Sequence, residues 1–402
     1  MIKSVLIANR GEIAIRIART ARRMGIKTYV VRTAKEPEAV YLSAADAVIN
    51  FPETDGNIPE FLDIDRLVGL AREYKIDSLH PGYGYLSENA ELAERCRDNG
   101  IVFIGPSPEV IRLMGDKVAA KGIAAQSGVP MLGASQGAVH TLDEARKIAK
   151  RLGYPVIIKA VSGGGGRGMR IVHHQDELEQ LYKIATAEAQ VAFNDPSVFI
   201  EKYLENPKHI EFQIVADNYG NVVHLGEREC SIQRKHQKLM EEAPSPALDE
   251  RLRKKMAAAA VSLAKQAGYQ SLGTVEFLLD HQKHFYFMEM NTRIQVEHGV
   301  TEMVTGTDLI IEQIRVAMGE PFVRGAVGAV VLGTLALALV YLSRGMKLKN
   351  EDTENSHGKD RLATEREAGM FVDKEHPYNN LMVSEHAGIV LNPHDAKTRD
   401  QQ

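Results

Sequence analysis

The sequence is poor in cysteine, because only Cys96 and Cys230 occur among its 402 residues. Two cysteines cannot build a disulfide framework. The opening segment MIKSVLIANRGEIA also lacks the long apolar stretch of a secretory signal. Both absences favour a reducing, cytoplasmic compartment. An excess of positive charge is missing too: the formal net charge is −4, which argues against a dedicated nucleic-acid binder.

The remaining composition is that of an ordinary globular protein. Hydrophobic residues make up 44% of the chain, charged residues 25% and aromatic residues 6%. These fractions exclude a disordered or collagen-like chain. The length corresponds to two or three domains of about 150 residues each.

The first hundred residues alternate short apolar strands with amphipathic helices. Strands are predicted over residues 4–8, 28–32, 78–80 and 101–104, and helices over 12–24, 59–74 and 89–99. Strands separated by helices of this length form parallel βαβ units. The turn after the first strand, Asn9-Arg10-Gly11-Glu12, lacks the G-x-G-x-x-G pattern, so a dinucleotide site is poorly supported.

Further along the chain the pattern becomes richer in strands. Helices are predicted over residues 109–127, 142–152, 249–267 and 308–318. Strands are predicted over residues 155–159, 169–172, 198–203, 210–216, 222–227, 274–279 and 285–290. The fold class is therefore α/β throughout the first 321 residues.

A lysine followed by a glycine run is the strongest local signal for a ligand. A strand delivers Lys159, the run Gly163–Gly166 follows with Arg167 close behind it, and a return strand begins at Met169. Bare backbone amides can surround phosphate oxygens, and the two cations supply positive charge. The spacing differs from that of a P-loop. A flexible surface hairpin is the alternative interpretation.

Two glutamates in a predicted hairpin indicate a metal site. If the strands 274–279 and 285–290 pair about Gln282, then Glu276 lies opposite Glu289 and Asn291 follows on the same face. Facing carboxylates repel each other unless a cation compensates. Two carboxylates and an amide are hard oxygen ligands that suit Mg²⁺. Solvated glutamates on an exposed edge are the alternative, because one register slip would separate the pair.

Two polar stretches next to this hairpin could bind a small anion. Arg293 and Glu297 follow Asn291, and Lys238 ends an earlier stretch that includes Gln233 and His236. An arginine and a glutamate beside a metal site could hold an anion and remove its proton. Each stretch taken alone is also compatible with a solvated loop.

Six separated motifs resemble the biotin carboxylase family, the ATP-grasp subunit or domain of acetyl-CoA, propionyl-CoA and pyruvate carboxylases. The motifs are RGEIA from Arg10, HPGYGYLSEN from His80, MGDK ending at Lys117, SGGGGRGM from Ser162, EKYLENP from Glu201 and EMNTRIQVEH from Glu289. The resemblance extends from Met1 to about Pro321. It implies an N-terminal α/β domain over residues 1–115 and an ATP-grasp domain over 116–321, with a glycine-loop lid over about 135–203.

The resemblance also implies a role for each matching residue. Lys117 and Lys159 would contact ATP phosphates, the glycine loop would close over them, and Glu276, Glu289 and Asn291 would bind Mg²⁺ or Mn²⁺. Lys238, Arg293, Gln295 and Val296 would form the bicarbonate pocket, and Glu297 would be the general base. The other nucleotide-contacting positions implied by the match are Gly163, Gly164, Gly165, Gly166, Met169, Glu201, Lys202, Tyr203, Leu204, His209, Gln233, His236 and Leu278.

The implied reaction is ATP-dependent carboxylation of biotin by bicarbonate, through carboxyphosphate. The implied partners are a biotin carboxyl carrier protein and a carboxyltransferase, and family members often form homodimers. Which acyl-CoA or keto acid receives the carboxyl group is not encoded in this region. Two other functions stay open: a truncated pseudo-carboxylase that binds ATP and bicarbonate only, and a different ATP-grasp ligase.

The resemblance ends after the Gly-Glu-Pro turn at residues 319–321. Family members continue with an Arg-Ile-Asn-Ala-Glu motif, which this chain does not contain. Instead, residues 325–343 form a run of 19 uncharged residues, long enough for a membrane-spanning helix. A membrane span or anchor, a buried helix and an artefactual tail are three interpretations of this run. Residues 344–402 are polar, with the composition of a weakly structured tail.

Overall fold

The computed structural model describes residues 2–51, 59–161, 169–234 and 237–322. Its N-terminal part is a parallel five-stranded sheet in the order β3-β2-β1-β4-β5. The strands are β1 (Ser4–Ile7), β2 (Lys27–Arg32), β3 (Ala47–Asn50), β4 (Ser78–His80) and β5 (Val102–Phe103). The helices between them are α1 (Gly11–Arg23), α2 (Ile64–Glu73) and α3 (Ala90–Asp98). The predicted βαβ architecture is confirmed.

Two details of this sheet were not predicted. The short strand β3 is missing from the prediction, because its four residues include only one buried side chain, Ile49, and therefore give no apolar run. The predicted helix 59–74 is divided into a 3-10 turn (Glu60–Leu62) and α2. The division occurs at Asp63, whose carboxylate accepts from the Arg66 backbone N–H and so caps a new helix.

The predicted helix over 109–127 is in fact two helices, α4 (Pro108–Gly115) and α5 (Lys117–Gln126). Asp116 has extended backbone geometry between them, and its side chain accepts from the N–H groups of Val118 and Ala119. An aspartate with a local capping partner competes with helix continuation. Apolar periodicity continues through the junction, which is why the pattern alone predicts one helix.

A small antiparallel sheet follows, in the order β7-β6-β8. It consists of β6 (Val156–Ala160), β7 (Met169–Val172) and β8 (Val198–Lys202), and it packs with α6 (Leu142–Leu152) and α7 (Leu178–Phe193) around its own apolar core. Helix α7 was not predicted. Ala185 and Ala189 form much of its buried face, so the apolar stripe is narrow and weak.

The largest sheet is antiparallel, in the order β11-β10-β9-β12-β13. Its strands are β9 (Lys208–Ala216), β10 (Val222–Arg234), β11 (Gln237–Glu242), β12 (Ser271–Leu279) and β13 (Phe285–Asn291). One face contributes Phe212, Ile214, Val275 and Phe277 to a core that also includes residues of α4, α5 and α8 (Glu250–Gln266). Side chains alternate across a strand, so the intervening residues form the opposite face, which is polar.

Two short helices complete the described chain, α9 (His298–Thr305) and α10 (Leu309–Ala317). Residues 297–309 belong to a second compact unit. Within that unit α9 ends at Gly306, a left-handed residue whose N–H donates to the Glu302 carbonyl. After α10 the Phe322 N–H donates to Asp217 over 2.9 Å, which anchors the last described residue to the turn after β9.

The expectations for residues 325–343 and 344–402 lie outside the described residues. Among the helices that the structure does describe, none combines the length and the apolar character needed to cross a bilayer.

Candidate functional site

A row of charged side chains crosses the polar face of the largest sheet. In register, Arg228 of β10 pairs with Glu211 of β9, Glu211 with Glu276 of β12, and Glu276 with Glu289 of β13. The predicted opposition of Glu276 and Glu289 is confirmed. Each of these strands has its apolar residues on the other face, so the alternation that builds the core also aligns the carboxylates.

Cations compensate most of this negative charge. Lys238 of β11 reaches over the row, with its Nζ atom 2.5 Å from Glu211 Oε2 and 3.0 Å from Glu276 Oε1. Arg228 Nε lies 2.5 Å from Glu211 Oε1, and both of these side chains are fully buried. His209 Nε2 lies 2.7 Å from Glu276 Oε2.

The two glutamates of the hairpin titrate in opposite directions. Burial alone would raise the pKa of Glu276, but the hydrogen bond from His209 and the charge of Lys238 hold that pKa well below its ordinary value. The Glu289 side chain is exposed to solvent. Its pKa is raised by surrounding protein atoms and by the negative charges of Glu276 and Glu88. The end of the row near Glu289 therefore keeps uncompensated negative charge.

The residues at that end fit a hard divalent cation. Asn291 follows Glu289 on the same face and donates to Glu276 Oε1 over 2.8 Å. Its carbonyl oxygen accepts from Arg293 over 3.1 Å and retains a second lone pair. Carboxylate and amide oxygens together with unbalanced negative charge match the ligand preference of Mg²⁺ or Mn²⁺.

The loop after β13 brings Arg293 and Gln295 to the same place. Gln295 Nε2 donates to Glu276 Oε1 over 2.9 Å. Arg293 is held from the N-terminal domain, because its Nε donates to Glu88 Oε2 over 3.0 Å while the Thr292 N–H donates to Glu88 Oε1. Val296 follows and is 46% exposed. The predicted anion-binding residues therefore adjoin the carboxylate row, and Lys238 lies on a strand rather than in a solvated loop.

A second cationic cluster lies on the small sheet. Lys159 of β6 is 2.5 Å from Glu201 Oε2, and Lys121 of α5 contacts the other oxygen of the same carboxylate. Burial alone would raise the pKa of Glu201, but the two lysines outweigh it and lower that pKa. Met169 pairs with Lys159 in the sheet. Lys117 is the first residue of α5, the helix that also carries Lys121.

The remaining predicted nucleotide residues are distributed between these clusters. Gln233 Nε2 donates to His209 Nδ1 over 2.8 Å, and Leu278 pairs with His209 across the strands. Lys202 Nζ donates to the carbonyls of Gly153 and Tyr154, and the Tyr203 N–H donates to the Pro155 carbonyl, while Leu204 follows in the connection to β9. Gly163, Gly164, Gly165, Gly166 and His236 lie outside the described residues. Glu297 precedes α9 in the second unit and is described with that unit alone.

Sequence reasoning missed several residues of the two clusters, namely Glu88, Lys121, Glu211 and Arg228. A signal for Glu211 was available, because it stands between the apolar residues Ile210 and Phe212 of β9. Arg228 gave no such signal, since its neighbours on β10 are Glu227 and Glu229. Burying a charge is costly unless it is paired. Which strands would bring them together depends on non-local pairing, which periodicity does not reveal.

The described residues thus provide a row of carboxylates paired with lysine and arginine side chains and a separate pair of lysines on Glu201. Such groups suit a divalent metal and the phosphates of a nucleotide. Residues 1–111 match the family described as biotin carboxylase, N-terminal domain. Residues 116–324 match the family described as carbamoyl-phosphate synthase L chain, ATP binding domain.

Curated relatives and solved structures agree with these matches. Biotin carboxylase of Nostoc sp. is 55% identical over 316 residues, which cover 79% of this chain and 70% of that protein. The chain spans 60% of the length of chloroplastic biotin carboxylase 1 of Populus trichocarpa, at 52% identity over 79% of this chain.

Biotin carboxylase of Campylobacter jejuni in its β,γ-ATP complex superposes with a TM-score of 0.75 at 48% identity, covering 80% of this chain and 72% of that chain. The biotin carboxylase domain dimer of Hydrogenobacter thermophilus 2-oxoglutarate carboxylase, solved with MgADP, ADP and bicarbonate, has a TM-score of 0.74 at 48% identity. The superposed region covers 80% of this chain and 71% of the Hydrogenobacter thermophilus chain. This chain belongs to the biotin carboxylase family.

Proposed function

We propose that this chain catalyses the ATP-dependent carboxylation of biotin by bicarbonate, the first half-reaction of a biotin-dependent carboxylase. The observation that carries the proposal is the carboxylate row, because it places the Glu276–Glu289 pair beside Lys238, Arg293 and Gln295. Membership of the biotin carboxylase family supports the same reaction.

ATP is the phosphoryl donor in this proposal. Lys117 and Lys159 contact its phosphates, and the glycine run 163–166 closes over them. Lys159 forms an ion pair with Glu201, so a phosphate must compete with that carboxylate for the ammonium group. The segment 201–204 with His209, Gln233, His236 and Leu278 surrounds the adenine and ribose.

Glu276, Glu289 and Asn291 hold the divalent cation, Mg²⁺ or Mn²⁺. A cation at this place offsets the charge that raises the pKa of Glu289 and neutralises charge on the phosphates during transfer.

Bicarbonate binds beside Lys238, Arg293, Gln295 and Val296, where fixed cations attract an anion. Glu297 accepts the bicarbonate proton, and the resulting oxygen attacks the γ-phosphorus of ATP. The bond to the bridging oxygen breaks, so ADP leaves and carboxyphosphate forms. Carboxyphosphate then yields CO₂ and phosphate, the phosphate takes the biotin N1′ proton, and that nitrogen attacks CO₂.

The chain then consists of an N-terminal domain over residues 1–115 and an ATP-grasp domain over 116–321, with a lid over about 135–203. The biotin is presented by a carrier protein, and a separate carboxyltransferase consumes the carboxybiotin. The cytoplasm is the compartment for this reaction, and a homodimer is its assembly.

The proposed function is tested by ATP hydrolysis with Mg²⁺, in the presence and absence of bicarbonate. Bicarbonate should increase the rate, and Lys238→Ala should abolish the increase. Arg97→Ala is the control for loss of a surface cation, because Arg97 forms exposed salt bridges with Glu94 and Glu109 and has no role in the proposed reaction. A rate that does not respond to bicarbonate in the unsubstituted protein would contradict the proposal.

A further inference from the structure

Arg228 is a fully buried arginine to which the proposed reaction assigns no role. It lies on β10, which β9 separates from β12, and β9 and β12 together separate from β13. Its guanidinium group donates in several directions. Nε binds Glu211 Oε1 at 2.5 Å, Nη1 binds Gln213 Oε1 at 2.9 Å, and Nη2 binds Gln295 Oε1 at 3.2 Å and Thr274 Oγ1 at 3.3 Å.

The contact with Gln295 determines how that amide is oriented. Its oxygen accepts from Arg228, so its Nε2 group points to Glu276, to which it donates over 2.9 Å. An amide without a charged donor on its oxygen could rotate by half a turn and exchange donor for acceptor. Arg228 therefore supports the orientation in which the Gln295 nitrogen faces Glu276 beside Lys238.

The contact with Glu211 determines how strongly Lys238 is held. Glu211 is shared between Arg228 and Lys238, and Lys238 also contacts Glu276. Arg228, Lys238, Glu211 and Glu276 together comprise two cations and two carboxylates. Loss of Arg228 removes a cation that contacts Glu211, so Lys238 is drawn more strongly to that buried carboxylate, and the local field becomes more negative where an anion must bind.

We propose that Arg228 is a positioning residue for bicarbonate, which acts by neutralising Glu211 behind Lys238 and by orienting the Gln295 amide. This inference rests on the proposed function, since it assumes that Lys238 and Gln295 face the anion. The described contacts of Arg228 are with protein side chains, and among these Gln295 belongs to the proposed bicarbonate pocket. We therefore expect the loss of Arg228 to affect the binding of the anion rather than that of the nucleotide.

The variant Arg228→Gln tests this role, and Arg253→Gln is its matched control. Arg253 forms a comparable pair at 2.7 Å with Glu227, the residue next to Arg228 on β10 and on the opposite face of the sheet. Arg228→Gln should raise the KM for bicarbonate about tenfold, the effect of one lost charge-assisted hydrogen bond, and leave the KM for ATP unchanged. Arg253→Gln should lower the melting temperature and change neither KM. The positioning role would be overturned if Arg228→Gln changed the KM for ATP as much as the KM for bicarbonate, or if it left the KM for bicarbonate unchanged.

If Arg228→Gln does not fold, the variant Arg228→Lys takes its place in the test. A lysine keeps a cation beside Glu211, but it lacks the planar guanidinium group that lets Arg228 bind Glu211 and Gln295 at the same time. The bicarbonate KM should again rise selectively, and an unchanged value would overturn the role.

A second measurement does not depend on activity. Lysines labelled by reductive ¹³C-methylation give separate NMR signals, and Lys238→Arg identifies the signal of Lys238. Arg228→Gln should shift that signal, whereas Arg253→Gln should not; a Lys238 signal that is identical with and without Arg228 would overturn the inference. Failure of bicarbonate to stimulate the unsubstituted protein would instead overturn the proposed function, and the NMR result would still decide whether Arg228 positions Lys238.

Discussion

Replacing Glu289 by glutamine should stabilise the protein without metal and at the same time abolish its metal-dependent activity. Glu289 lies directly opposite Glu276, and its raised pKa shows that the folded state disfavours its charge. Facing like charges on neighbouring strands cost up to about 1 kcal/mol. Removing one of them should raise the melting temperature by roughly 2 °C for a domain of about 200 residues.

The same change removes a proposed metal ligand, so Mg²⁺-dependent ATP hydrolysis should fall by roughly 100-fold or more. Scanning calorimetry in the presence of a chelator measures the stability, and a coupled ADP assay measures the activity.

Glu229→Gln is the control for the sign of the stability effect. Glu229 is buried on β10, accepts from Ser245 and Ser231 and is 3.0 Å from Lys208, and these contacts hold its pKa below the ordinary value. Its neutralisation should lower the melting temperature, with a loss of about 1–3 kcal/mol. A lower melting temperature for Glu289→Gln, or retained Mg²⁺-dependent activity, would refute the assignment of Glu289 to an uncompensated metal site.

Three further predictions concern other contacts. Glu201→Gln should reduce the free energy of unfolding at neutral pH by about 2 kcal/mol. Because the pKa of Glu201 is lowered in the folded state, its contribution to stability is present above its ordinary pKa and is lost as the pH falls through the folded pKa. The free energies of unfolding of the two proteins, measured with urea, should therefore converge in acid. A difference that stays constant with pH would contradict the pairing with Lys159. Glu88→Ala releases Arg293 and should raise the KM for bicarbonate roughly threefold to tenfold, whereas an unchanged value would show that Arg293 needs no support from the N-terminal domain. Gly82→Ala should cost about 2 kcal/mol in thermal unfolding, because φ is +64° and the new Cβ would lie 2.8 Å from Asn9 Nδ2. Gly84→Ala, with a similar φ but no atom within 4 Å, should cost only about 1 kcal/mol, and equal costs would exclude the close approach as the cause.

The opposition of Glu276 and Glu289 could be predicted from the sequence because the hairpin that carries them is local. The turn near Gln282 sets Leu279 opposite Phe285, and a register shift between Glu276 and Phe277, which the sequence pattern does not reveal, then brings Glu276 opposite Glu289. The helix over 142–152 was predicted with the same bounds that the structure has, since its apolar stripe, its cap at Thr141 and the glycine that follows agree with one another.

The rest of the site depends on contacts between segments that are distant in sequence. Arg228 meets Glu211 and Gln295 only after β9, β10 and the loop following β13 have assembled, and Glu88 reaches Arg293 from the segment between β4 and α3. A charged residue that is buried in a strand needs a partner, but the sequence does not say which residue provides it. Helix α7 was missed for a different reason, because alanines at its interface make the periodic signal weak.

Transfer of ¹⁴C from labelled bicarbonate to free biotin tests the central claim most directly. The purified chain with ATP and Mg²⁺ should form acid-labile carboxybiotin and release ADP in equal amounts, and Lys238→Ala should form none. Release of ADP in response to bicarbonate without any labelled biotin would contradict the proposed carboxylation and leave only its first step.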